Sequence, residues 1–304
     1  MLRLAPALTL GAATPLAGHR PAAASPAPPG TPPAPPAFRV GASPLATHAT
    51  PSAALAAALA AAAPADPAPI TIIVEPGTYA DRLVIPPTSP PVKLLALLAP
   101  ADPDGGPALA ALVDAGKANA ARPGLVHPFP TVTLTHTTPS PYESTLDVGA
   151  PRCAAAGIRF EHASPSVANN FGVLVREGGS LTLQSCSVAS KTGTGLGVEG
   201  AAAADGCDLS TCAAYGAAAF GASLALTRCT LTGNKRGGVL ARGVGHLGVA
   251  GCAVTRNGGP GLDLAAGGEA APDATLGAGC DLSGNAGGAA RIGDGWAGGE
   301  VVGV

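Results

Sequence analysis

From Ser180 to the end of the chain, apolar and polar positions alternate in short pieces separated by Gly, Asn, Ser or Thr. "SLTLQSC", "SLALTRC" and "HLGVAGC" put apolar side chains on every second position, the period of a strand with one buried face. Glycine density and the shortness of the pieces exclude helices over this part of the chain. An antiparallel sandwich would need longer strands and hairpin turns, and nothing would hold its strands to a fixed period.

A fixed period is present. Cys186, Cys207, Cys229, Cys252 and Cys280 stand 21, 22, 23 and 28 residues apart. Two residues after them come Val188, Leu209, Leu231, Val254 and Leu282. Five after them come Lys191, Cys212, Asn234, Asn257 and Asn285, and nine after them Gly195, Gly216, Gly238, Gly261 and Ala289. Three strand-sized pieces per unit, repeated at a near-constant interval, describe a parallel β-helix with one unit per coil and coils ~4.8 Å apart. Equivalent residues then stack. Asn234, Asn257 and Asn285 form an inward ladder that satisfies the backbone of a tight bend, and the five cysteines fill the narrow interior between Leu and Val layers.

The N-terminal part has a different grammar. Residues 1–50 read as a disordered Ala/Pro-rich leader: ten prolines fall before residue 40, and no Asp or Glu precedes Asp66. Its opening "MLRLAPALTLGAATPLAG" has the short basic start and apolar stretch of a secretory signal, and equally the acid-poor character of an organellar transit peptide. This favours a secreted or organellar location over a cytoplasmic one. Residues 51–304 read as one domain, with a cap helix over 53–63, Leu55 and Leu59 turned inward, and coils from about residue 70 to 296. A β-helix end exposes strand edges and core, so a cap is physically required.

The pattern C-x-[ILV]-x₂-N-x₃-G-[ILV] at Cys229–Val239 and Cys252–Leu262 resembles the pectin-lyase-like right-handed β-helix superfamily, in particular its right-handed β-helix region proteins. Upstream, Pro76, Gly77, Tyr79, Asp81, Leu83 and Ile85 resemble the first turn of pectin methylesterases, where a helix caps the solenoid. The resemblance implies an all-β, right-handed, single-stranded parallel β-helix with an N-terminal α-helical cap. It does not by itself imply an activity, because this fold hosts enzymes, adhesins and scaffolds. The G-D-[VT]-D-F-I-F-G segment of the esterases is absent from the sequence, as are the acidic motifs of polygalacturonases and the clustered carboxylates of pectate lyases.

Composition narrows the function further. Only 12% of residues are charged and the formal net charge is −2, so there is no basic footprint for nucleic acid. No run of bulky apolar residues is long enough to span a membrane. His127, His136 and His246 lack partners at metal-ligand spacing, and Cys207-x₄-Cys212 is not a zinc knuckle, so neither a metal nor a cofactor is expected. Asp208 and Asp281 fall on one outward row three coils apart, ~14 Å, beyond the ~5 to ~9.5 Å of glycosidase carboxylate pairs. The second outward row, Gly197, Ala218, Leu240, Asp263 and Arg291, offers no aromatic platform for sugar rings. The one polar cluster holds Tyr142, Glu143, Asp147, Arg159, Glu161 and His162, with Arg159 and Glu161 sharing an outer strand face. The expected role is a non-catalytic scaffold or binding module for a protein or glycan partner. The alternative is a divergent polysaccharide-acting enzyme of pectin-esterase or lyase type.

Overall fold

Why this chain coils is visible in the way its short strands stack. The computed structural model describes residues 37–62, 68–97, 131–164, 170–243, 245–265 and 273–293. Every paired strand in it is parallel, and the strands sort into three sheets, or faces. Face A has nine: Ala37–Val40, Ile70–Val74, Val92–Ala96, Cys153–Ala156, Ser180–Gln184, Ala201–Asp205, Ser223–Thr227, His246–Ala250 and Asp273–Leu276. Face B has four: Gly77–Ala80, Val132–His136, Ile158–His162 and Ser187–Ser190. Face C has eight: Leu83–Ile85, Ser144–Val148, Phe171–Val175, Thr194–Val198, Tyr215–Phe220, Gly237–Arg242, Leu262–Ala265 and Ala290–Ile292. The chain visits A, B and C in turn, and the eight face C strands number coils 1 to 8. This is a right-handed parallel β-solenoid.

The period-two alternation decides which side chains turn inward. On face A the column Ile72, Leu94, Ala155, Leu183, Ala204, Leu226, Val249 and Leu276 is buried along its whole length. Cys186, Cys207, Cys229 and Cys252 are each no more than 2% exposed, and their column continues into earlier coils as Ile158 and Val132. Thiols thus stand where β-branched residues stand elsewhere, as expected if Cys acts as a small hydrophobe.

Face B changes character along the axis. In coils 1 to 4 it is a continuous sheet; beyond that it shrinks to single bridges along Ser187, Asp208, Thr230, Ala253 and Asp281. The cause is local backbone. Thr211, Gly233, Arg256 and Gly284 all have positive φ, between 55° and 68°, and each stands immediately before a bend residue: Cys212, Asn234, Asn257 or Asn285. The left-handed residue turns the chain early and adds one residue to the bend. Coil 4 lacks that insertion. Ser190, not Lys191, therefore takes the bend column, while Lys191 is exposed and pairs with Glu161.

The bend column carries its own hydrogen bonds. Asn234 Oδ1 accepts from Cys212 N at 2.8 Å, Asn257 Oδ1 from Asn234 N at 2.9 Å and Asn285 Oδ1 from Asn257 N at 3.0 Å. Their amide nitrogens donate back to Leu209, Leu231 and Val254 carbonyls.

The cap helix spans Pro51–Ala61, two residues earlier than the sequence pattern suggests, because Thr50 is the N-cap and Pro51 opens the first turn. Leu55 is buried, while Leu59 packs on the core only in part. The sequence reading ends the helix at Ala63, and that residue lies outside the described residues. The esterase-like turn has a mechanical explanation here. Asp81 Oδ2 accepts from Ser52 N at 2.7 Å in the first turn of the helix, and Tyr79 OH donates to the Glu75 carbonyl at 2.9 Å. Glu75, only 7% exposed, accepts from Arg39 Nε at 2.6 Å, from Ser43 N at 3.1 Å and from the Ser43 hydroxyl. These bonds clamp Ala37–Val40 on as an extra face A strand, although the sequence reading placed it inside the leader. The remaining leader, residues 1–36, lies outside the described residues, as do the last positions assigned to coils, 294–296. Among the described residues no helix is long and apolar enough to cross a membrane.

Candidate binding face

Outward positions on face C stack into one register row: Val84, Asp147, Leu174, Gly197, Ala218, Leu240, Asp263 and Arg291. Asp147 and Asp263 are five rungs apart, ~24 Å at the usual strand spacing. Each sits in an ion-paired cluster near one end of the row, and the stretch between them, Leu174 to Leu240, is apolar and buried.

At the N-terminal end Asp147 accepts from Arg176 Nε at 3.0 Å and Nη2 at 2.8 Å, a two-pronged contact from the next coil. Arg82 from coil 1 stands 3.7 Å from Asp147 and 3.6 Å from Glu143. Glu143 also meets His136 Nε2 at 3.0 Å, and Arg176 lies 3.9 Å from Glu199. The His136 hydrogen bond, with help from Thr138 and Arg82, outweighs burial and holds the Glu143 carboxyl below its ordinary range. At the other end Arg291 Nε donates to Asp263 Oδ1 at 2.9 Å, and Tyr215 OH donates to Oδ2 at 2.7 Å. Burial pushes Asp263 upward, but Arg291 and the Tyr215 hydroxyl together bring it below the usual aspartate value.

Two aromatic rings lie on the row between. A Cβ built on Gly197 would fall 2.4 Å from Phe171 Cδ1, and one on Gly237 would fall 2.8 Å from Tyr215 Cε1. Each ring therefore rests against bare backbone that no other residue would leave open. Phe171 and Tyr215 occupy one register column with Thr194 between them, two rungs or ~9.6 Å apart. Both are half-buried, and Phe220 is exposed on the same face. The second outward row itself holds no aromatic residue, and these rings stand beside it. They begin strands just after the bend, where the alternation restarts and inward/outward parity cannot be carried over from the cysteines.

The polar cluster read from the sequence is divided among three places. Glu143 and Asp147 belong to the face C network, and Tyr142 is exposed beside them at φ 60°. Arg159 and Glu161 lie on outer face B, where Glu161 pairs with Lys191 at 2.7 Å and with Arg159 at 3.1 Å. Lys191 first, and Arg159 after it, hold the Glu161 carboxyl below its ordinary range against burial. His162 points inward and is fully buried, because it shares parity with Phe160 and Ile158. Arg82, Arg176 and His136 complete the face C network; the two arginines escaped the sequence reading, which considered His136 only as a metal ligand. They come from neighbouring coils, and only the register of stacking brings them together. Among the described residues no group of three His, Cys, Asp or Glu side chains could hold a metal ion; His127 lies outside them.

Residues 154–295 match the family described as right handed beta helix region. The β-helix is similar to the crystal structure of the pectin methylesterase from Aspergillus niger in deglycosylated form, with 14% identity, 83% of this chain and 89% of that chain covered, and a TM-score of 0.48. No curated protein matches the sequence.

Proposed function

We propose that this β-helix is a non-catalytic binding module that docks a glycan at the half-exposed rings of Phe171 and Tyr215, above the buried outward row of face C. The observation that carries the reading is the pair of rings, Phe171 and Tyr215, laid on Gly197 and Gly237 in one column along the solenoid axis. A ring fixed with one side against backbone offers its other side as an apolar platform at little entropic cost. Charged pairs at both ends of the row supply hydrogen-bonding groups for ligand hydroxyls. The same pairs argue against turnover. Glu143 and Asp263 are both held below ordinary carboxyl values by hydrogen-bond donors and cations, whereas a general acid must keep its proton near neutral pH.

The test is titration of the purified protein with a panel of neutral and acidic polysaccharides, followed by calorimetry on any binder. Phe171→Ala and Tyr215→Ala should each weaken binding about tenfold or more, measured at a temperature where each variant is fully folded. Binding untouched by both substitutions refutes the face. Polysaccharide turnover that disappears in Glu143→Gln at unchanged stability replaces the binding reading with the enzymatic one.

A further inference from the structure

The bend between faces B and C is lined by one inward column, and its chemistry changes along the axis. In coils 2 to 8 the column reads His136, His162, Ser190, Cys212, Asn234, Asn257 and Asn285. An asparagine there bonds the neighbouring coils with both its oxygen and its nitrogen. His162 does neither. It is fully buried, and neither Nδ1 nor Nε2 has a hydrogen-bond partner among the described residues. The edge of the His136 ring meets it at a centroid distance of 5.6 Å.

The surroundings leave no partner for a second proton on this ring. The elements packed on Ile158–His162 are Val132–His136, Ser187–Ser190, Ser144–Val148 and Phe171–Val175. They contribute His136 directly, Ser190 as the next residue of the column, and Asp147 on the outer side, where Arg176 already occupies it. Beyond His136 stand Glu143, bonded to it, and Arg82. Arg159 and Glu161 on the strand itself face outward and pair with each other and with Lys191. The acids nearby are thus already paired, Glu143 with His136, Asp147 with Arg176 and Glu161 with Arg159 and Lys191. A charged imidazole in this position is an unpaired buried charge, which proteins avoid by exposing or neutralising it.

We infer that His162 makes the bend of coils 2 and 3 an acid-opened joint: its ring takes up a second proton far more readily when the bend parts and admits water. Burial first, then the like charge of His136 and to a lesser degree Arg82, outweigh the opposing pull of Glu143 and hold His162 down to about 4 in the closed coil, against 6.5 for a free imidazole. A depressed histidine contributes closure that is full above 6.5 and is lost as pH falls from there through 4. Between pH 7 and pH 4 the opening equilibrium then rises about a hundredfold.

Hydrogen exchange of the full chain, corrected for intrinsic rates, reads this directly. Backbone amides of 158–164 should lose about a hundredfold of their protection between pH 7 and pH 4. Those beside Asn234 and Asn257 should not change. His162→Asn, which installs the residue used in later coils, should hold its protection across the range. Wild-type amides equally protected at both pH values overturn the inference, as does an equal loss in the variant. Should the variant fail to fold, the ring proton titration of His162 in the wild type decides alone. A midpoint well below 6 supports the joint, and one at 6.5 or above refutes it, since a ring that accepts its proton inside the closed coil opens nothing.

Discussion

Asn257 is the interior position where a single substitution should report most clearly on what holds the coils together. It is 2% exposed. Its Oδ1 accepts from Asn234 N at 2.9 Å, and its Nδ2 donates to Leu231 O at 3.0 Å and to Asn285 Oδ1 at 2.8 Å. Asn257→Ala removes all three bonds, but the consequences differ. Leu231 O still accepts from Thr255 N at 3.2 Å, and Asn285 Oδ1 still accepts from Asn257 N. Asn234 N–H is left with nothing in a fully buried site. Stranding one buried donor costs ~1–3 kcal/mol, and the two lost but compensated bonds add ~0.5–1.5 kcal/mol between them, so the expected destabilisation is about 2–4 kcal/mol. Asn285→Ala removes equivalent bonds from the half-exposed last coil, where water can replace them, and should cost about 1 kcal/mol or less. Because solenoid coils contact only their neighbours, the loss should spread to coils 6 to 8 and spare coils 2 to 4. Urea unfolding gives the total, and exchange protection per coil gives its distribution. A change below about 0.5 kcal/mol for Asn257→Ala, the range of ordinary surface substitutions, would refute the ladder as a source of stability.

Two further outcomes are expected. Removing residues 1–36 should leave a soluble, monodisperse protein, whereas removing 1–66 strips the strand at Ala37–Val40, the cap helix and the partners of Glu75 and Asp81, and should cause aggregation through the bared edge of Ile70–Val74; equal behaviour of the two on size exclusion would discount the clamp. All seven cysteines are free and six are buried, with burial pushing Cys212 up to about 12, so a thiol reagent should modify the half-exposed Cys280 first and count seven only after denaturation without reductant; a lower count would show disulfides that the stacked geometry disfavours.

What could be read from the sequence alone follows from the simplest property of a solenoid: equivalent residues lie above one another, so a local pattern repeats in the chain. The Cys-x-apolar spacing, the Asn column in coils 6 to 8 and the outward row Gly197, Ala218, Leu240, Asp263 and Arg291 all rest on that repetition. Reading by local pattern fails where one residue is inserted or missing. The absent left-handed residue in coil 4 moved the column from Lys191 to Ser190, and upstream of it the column changes from asparagine to His162 and His136, with no asparagine to mark the place. Contacts across coils depend on register, which the packing of the whole stack sets. Arg82, His136, Glu143, Asp147 and Arg176 come from three coils, and the Phe171 ring meets Gly197 one coil on. A period-two pattern says which side of its own strand a residue takes, but only the stacked coils decide which residue of the next strand it meets, because that distance is closed by hydrogen bonds between strands more than twenty residues apart.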